Sequence, residues 1–167
     1  ALVNDQKTMI ASDTCMYLVE ADPQGKGSDR IFHELWDRFD PNSEMGRKLL
    51  PFVVTKNARD QYARGLLDQA VQAVMEGIKY TPDNAELYYC LADILMDSGL
   101  YEQAMEALDS LPETEKNTTR ALELIGYCRY HTGHNPEAGS CADQALSLCF
   151  DSLKGLNLKG LLAAELG

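Results

Sequence analysis

Along most of this chain apolar residues recur every three or four positions, the spacing of one helix face, and not in the alternation of a half-buried strand. Leu87, Leu91, Ile94 and Leu95 share one such face, and Tyr101, Ala104, Met105 and Leu108 share the next. The spacing predicts two amphipathic helices joined at Gly99. Their start is marked too: Asp83 with Glu86 three residues later reads as a capping box. Asn135 followed by Pro136 reads as an N-cap with proline at the first helical position of a later helix.

The pattern repeats. Gly65, Gly99, Gly133 and Gly167 stand at intervals of 34 residues. Glycine makes up about 7% of ordinary proteins, so four in one register argue for a structural repeat rather than coincidence. Seven residues before each glycine stand Ala58, Ala92, Gly126 and Gly160, and five residues after the first three stand Ala70, Ala104 and Ala138. Small residues therefore recur where two helices must approach closely. The unit this predicts is a helical hairpin: a first helix of about 14 residues, a turn at a glycine that takes positive φ without steric cost, and a second helix.

The segment NAELYYCLADILMDSGLYEQAMEALDSL, residues 84–111, resembles a tetratricopeptide repeat. Tyr88, Leu91, Ala92, Leu95, Gly99, Tyr101, Ala104 and Leu108 occupy that pattern's positions in order. The unit before it, 51–84, has Val54 and Asn57 where an aromatic and a leucine are usual, but closes with Ala70 and Pro82. The unit after it, 119–152, keeps Leu122, Ile125, Gly126, Gly133, Ala138 and Ala145 without the closing proline, and a partial unit spans 153–167. The resemblance implies an all-α fold, a right-handed α-solenoid of about 3.5 hairpins with a concave groove, preceded by a non-repeat segment over 1–50.

The same resemblance places the groove on the first helix of each unit. Its lining positions are Thr55, Arg59 and Tyr62; Glu86, Tyr89, Asp93, Met96 and Asp97; Arg120, Glu123, Tyr127, Tyr130 and His131; then Lys154 and Asn157. Tyrosines beside charges of both signs suit a peptide or protein ligand, because tyrosine supplies contact area and a hydroxyl at low entropy cost. The leading candidates are Arg59, Tyr62, Tyr89, Asp93, Arg120, Tyr127, Tyr130 and His131. Some relatives grip a chaperone's C-terminal carboxylate with a clamp of lysines, asparagines and an arginine, but here Thr55, Cys90 and Leu124 stand in clamp positions. The asparagine ladder of glycosyltransferase-linked repeats is missing as well, with Lys56, Cys90, Leu124 and Leu158 in its column.

Residues 1–50 fall outside the register. A helix is predicted near 29–39, where Phe32, Leu35, Trp36 and Phe39 form an apolar stripe that ends at Asp40-Pro41. That stripe is expected to cap the first repeat, with Phe32 and Trp36 as a secondary interaction surface in the alternative. Cys15 to Val19 fits a strand or a helix equally. Gly25-Lys26-Gly27-Ser28 lacks the full phosphate-loop frame and reads as a loop. At the other end Leu153, Leu156, Leu158, Leu161, Leu162 and Leu166 leave little polar surface, whereas repeat arrays usually close with a polar face. Either the chain belongs to a longer protein, or this helix is covered by a second copy in a homodimer.

Composition narrows the classes. A formal charge of −11 with no basic cluster argues against nucleic acid. No apolar run approaches the roughly 18 residues of a membrane span. The five cysteines, Cys15, Cys90, Cys128, Cys141 and Cys149, show no zinc-ligand spacing and are expected as reduced core residues, which favours the cytoplasm. His33, His131 and His134 are too scattered for a metal triad, although the last two could meet in a turn. No frame for a nucleophile, base and acid is visible, so neither catalysis nor a cofactor is expected. The expectation is a scaffold that binds a peptide or helix; the alternative is a substrate-selecting arm of a larger multidomain enzyme such as a glycosyltransferase.

Overall fold

The structure is a computed structural model that describes residues 44–165. The expectations for 1–28, for the helix near 29–39 with Phe32 and Trp36, and for Leu166 and Gly167 lie outside the described residues. Seven helices make up the described part: α1 (Glu44–Ala63), α2 (Leu67–Tyr80), α3 (Ala85–Asp97), α4 (Tyr101–Asp109), α5 (Thr119–His131), α6 (Asn135–Leu148) and α7 (Leu153–Glu165). The fold is all-helical, a solenoid in which each helix packs against its neighbours in sequence and α1 and α5 also reach α3 and α7.

The hairpin turns follow from the glycine register. Gly65, Gly99 and Gly133 have φ of 79°, 75° and 81°. Each sits just past a helix end and closes the same pair of hydrogen bonds. At α3 the Gly99 N–H donates to Met96 O and the Leu100 N–H to Leu95 O, and at α5 Gly133 and His134 donate to Tyr130 O and Arg129 O. Orphan carbonyls at the end of the first helix are thereby satisfied while the chain reverses. A Cβ at these glycines would meet no atom within 4 Å, so it is the backbone angle that requires glycine, not crowding.

The small-residue columns form the seam inside each hairpin. Ala58, Ala92, Ala70, Ala104 and Ala138 are all fully buried. A Cβ on Gly126 would stand 2.6 Å from Leu158 Cδ2 and 3.2 Å from Cys141 Cβ, so α5, α6 and α7 close on that point. Around this seam Leu87, Leu91, Ile94, Leu95, Leu108 and Val74 build one continuous core. Burying such side chains stabilises by about 1.5–3 kcal/mol each.

Three expectations change. The side chain that caps α3 belongs to Asn84, not Asp83: its Oδ1 accepts from the Glu86 N–H at 3.1 Å. Both residues can cap, and the chain enters the helix one residue later than the capping-box reading had it. The N-cap position of α6 is His134, with Asn135 already helical and its Nδ2 donating to Glu165 Oε2 at 2.6 Å. Gly160, fourth in its column, is exposed and has nothing near its Cβ position, because among the described residues no second helix packs on that side of α7.

Candidate functional site: the face of the first helices

The first helices lie side by side, and the 34-residue repeat places equivalent positions on one face. Arg120 of α5 is at its centre. Its Nη1 donates to Glu86 Oε1 of α3 at 2.7 Å, its Nη2 lies 4.0 Å from Asp93 Oδ2, and its guanidinium carbon stands 4.1 Å from the centre of the Tyr89 ring. The Arg120 and Glu86 side chains are 41% and 61% exposed, so this ion pair contributes little and can be exchanged for a ligand carboxylate at small cost. The stacked cation adds about 0.5–1 kcal/mol.

Asp93 of α3 gathers charge from three helices. Arg120, Lys154 of α7 and Arg59 of α1 all favour its ionised form, but burial outweighs them and raises its pKa, with Asp97 as a further like charge. Among the described residues Arg59 and Lys154 have no carboxylate within ion-pair distance. Arg59 instead lies near the buried Cys90 thiol, whose pKa desolvation raises and this guanidinium partly lowers. Two further contacts extend the face: Asn157 Nδ2 of α7 donates to the Tyr127 hydroxyl of α5 at 2.7 Å, and Ser152 Oγ donates to Glu123.

The candidates separate into three groups. Arg59, Asp93 and Arg120 come together, and Tyr127 adjoins them through α7. Tyr89, expected as a contact in the groove, is only 2% exposed and forms the floor beneath Arg120. Its hydroxyl hydrogen-bonds Thr118 Oγ1 at 3.1 Å and Glu115 Oε2 at 3.3 Å, and burial with the nearby Glu115 raises its pKa. Tyr62 is half-buried against the core. Tyr130 and His131 engage other elements: Tyr130 lies near Glu165 of α7, which raises its pKa, and the His131 ring stacks on Tyr101 of α4 with centroids 4.2 Å apart and planes 8° from parallel. His134 contacts Thr132 and not His131 in the turn. No His, Cys, Asp and Glu group suited to a metal ion occurs among the described residues.

Sequence reasoning missed Glu115 and Thr118, which tie Tyr89 down from the loop before α5. Thr118 did carry a signal, since a threonine before an apolar helix start is a capping residue, and its Oγ1 accepts from the Ala121 N–H. No helix among the described residues is long and apolar enough to cross a membrane.

These hairpins, their glycine turns and their shared face define a helical-repeat protein of the tetratricopeptide type. The sequence profile of the tetratricopeptide repeat matches residues 61–128, and the fold is that of tetratricopeptide-repeat domains. Solved structures with the same fold include MamA 41-end from Desulfovibrio magneticus RS-1, at 15% identity and a TM-score of 0.69 over 93% of this chain and 85% of that one. The second TPR domain of the human RPAP3 protein, in complex with HSP70 peptide SGPTIEEVD, aligns at 17% identity and a TM-score of 0.63 over 71% of this chain and 98% of that one. The first TPR of Spaghetti (RPAP3), bound to HSP90 peptide SRMEEVD, aligns at 17% identity and a TM-score of 0.62, covering 70% and 92%. A search of the curated proteins finds no sequence match.

Proposed function

We propose that this chain is a protein-interaction module that takes a peptide or helix of a partner protein on the face of its first helices. The observation that carries this reading is the convergence of Arg59, Arg120 and Lys154, from three first helices, on the half-buried Asp93 carboxylate of a fourth. Such a face offers cations to a ligand's acidic side chains and carbonyls, while Tyr127 and Asn157 offer a hydroxyl and an amide to its backbone. The peptide complexes formed by RPAP3 domains of the same fold support this use of the fold. The ligand itself differs from a chaperone tail: in the clamp columns Cys90 and Leu124 are 1% and 3% exposed, so neither could meet a terminal carboxylate.

The three buried cysteines among the described residues, Cys90, Cys128 and Cys141, all free, fit a reducing compartment such as the cytoplasm. No observation favours the arm of a larger enzyme over this reading. The test is a peptide-display selection on the immobilised chain, followed by titration of the enriched peptide. An Arg59→Ala, Arg120→Ala, Lys154→Ala variant alters only half-buried or exposed side chains and should keep its circular dichroism spectrum while losing at least about tenfold in affinity. Equal affinity for the variant would place the binding surface elsewhere. The peptides SGPTIEEVD and SRMEEVD should bind no more tightly than a scrambled sequence.

A further inference from the structure

Glu86, Arg120 and Lys154 stand 34 residues apart in one column of the repeat, on the successive first helices α3, α5 and α7. The column sets one carboxylate beside two cations. Arg120 Nη1 donates to Glu86 Oε1 at 2.7 Å, whereas Lys154 has no carboxylate within ion-pair distance among the described residues. Both cations act on Asp93, so they address one patch. Arg120 forms a fixed seat there. Its guanidinium carbon lies 4.1 Å from the centre of the Tyr89 ring, and that ring is buried with its hydroxyl hydrogen-bonded to Thr118 Oγ1 and Glu115 Oε2. A planar cation held on a ring loses little freedom when it takes a carboxylate, which favours a two-pronged contact. Asp93 Oδ2 stands 4.0 Å from the other guanidinium nitrogen, Nη2. Glu86 is the displaceable member: its side chain is 61% exposed, and Arg120 is its one ion-pair partner among the described residues. The cap of α3 uses only the Glu86 backbone N–H, so it survives a change of side chain.

We infer that Glu86 is a built-in competitor for the ligand: in the free chain its carboxylate occupies the Arg120 seat, and an aspartate or glutamate side chain of the ligand displaces it. The inference rests on the reading that ligand lies across the first helices, and it adds the ligand's chemistry and a residue that limits its affinity. The exchange is favourable because Glu86 meets one cation there, whereas a ligand carboxylate between Arg120 and Lys154 meets two. The column continues past Arg120 on both sides, to Glu86 and to Lys154, so the seat suits a side chain of a segment crossing the helices and not a chain end. Acidic ligands take the seat; neutral ones leave the Glu86 pair in place.

The experiment is fluorescence anisotropy with the full chain and a peptide of four Glu-Ala units, carrying a neutral dye at one end and an amide at the other. Its only carboxylates are side chains, and in an extended chain they share one side. Glu86→Gln should tighten binding about two- to fivefold, the range set by an exposed ion pair. In an Arg120→Ala background the same change should bring no gain, because no seat is left to compete for. Asp97→Asn removes an equal charge from an exposed position of the same helix and should bring a smaller gain. A Gln-Ala counterpart of the peptide should not distinguish Glu86→Gln from the wild type. Equal affinity of those two proteins for the acidic peptide, a gain that persists without Arg120, an equal gain from Asp97→Asn, or no binding to either protein would each overturn the competitor role. Failure of the wider reading looks different: the Arg59→Ala, Arg120→Ala, Lys154→Ala variant would then hold the display-selected peptide as tightly as the wild type.

Discussion

Gly126 and Gly160 occupy the same column of the repeat, yet alanine should act on them in opposite directions. In a helix interior, glycine to alanine gains about 1 kcal/mol from backbone entropy and propensity. At Gly160 nothing stands within 4 Å of the added methyl, so that gain should appear undiminished. At Gly126 the methyl would lie 2.6 Å from Leu158 Cδ2 and 3.2 Å from Cys141 Cβ. The leucine terminus can rotate, but Leu158 is fully buried, and the cysteine Cβ moves only with the backbone of α6. Overpacking of this kind costs about 1–3 kcal/mol, which offsets the propensity gain and leaves a net loss of up to about 2 kcal/mol. Urea denaturation of both variants measures the pair. Gly160→Ala should raise the midpoint and Gly126→Ala should lower it, with melting temperatures moving by about 4 °C per kcal/mol. Shifts of the same sign would show that α5, α6 and α7 do not close on Gly126 as described.

Other consequences follow from the same geometry. Gly99→Ala should cost about 1–2 kcal/mol by thermal or urea unfolding although the space is open, because L-residues resist its φ of 75°; a neutral result would mean that the turn relaxes without cost. The raised Asp93 pKa means that protonation favours the folded state. The stability this supplies is full below the ordinary carboxylate value of 3.8 and is lost as pH rises through the folded value. Asp93→Asn should therefore be the more stable form near neutral pH, and its advantage should vanish on acidification; a constant difference in urea midpoint across that range would contradict this. Burial pushes the Cys128 thiol up to about 12, whereas Cys149 is half-buried with its Sγ 3.2 Å from Asp151 Oδ1. Native alkylation followed by mass spectrometry should label Cys149 before Cys90, Cys128 or Cys141, and early labelling of Cys128 would contradict its burial.

The hairpins were legible because their signals are local. Glycine at one register position means positive φ, and Ala104 or Ala138 facing Ala92 or Gly126 means a close seam, so spacing alone carries the fold. The cap of α3 was misread by one residue because Asp83 and Asn84 are equally able to accept a backbone N–H, and which does so depends on how α3 docks. The proposed ligand face is a list of positions in the sequence but not an arrangement. Register puts Tyr89 on it, yet whether Tyr89 is exposed depends on Arg120 lying over its ring and on Glu115 and Thr118 holding its hydroxyl, all far away in sequence. Likewise His131 shares a face with Arg120 by spacing, but its ring finds Tyr101 across the hairpin turn. The open side of Gly160 was hidden for the same reason, since a column of small residues does not reveal whether a helix arrives to cover each one.

The central claim is that ligand lies across α1, α3, α5 and α7. The most direct measurement is hydrogen–deuterium exchange on the chain with and without its best display-selected peptide. Slower exchange confined to segments of those four helices, centred on Arg59, Asp93, Arg120 and Lys154, is the predicted outcome. Protection falling instead on α2, α4 and α6, or no enriched peptide at all, would contradict the account.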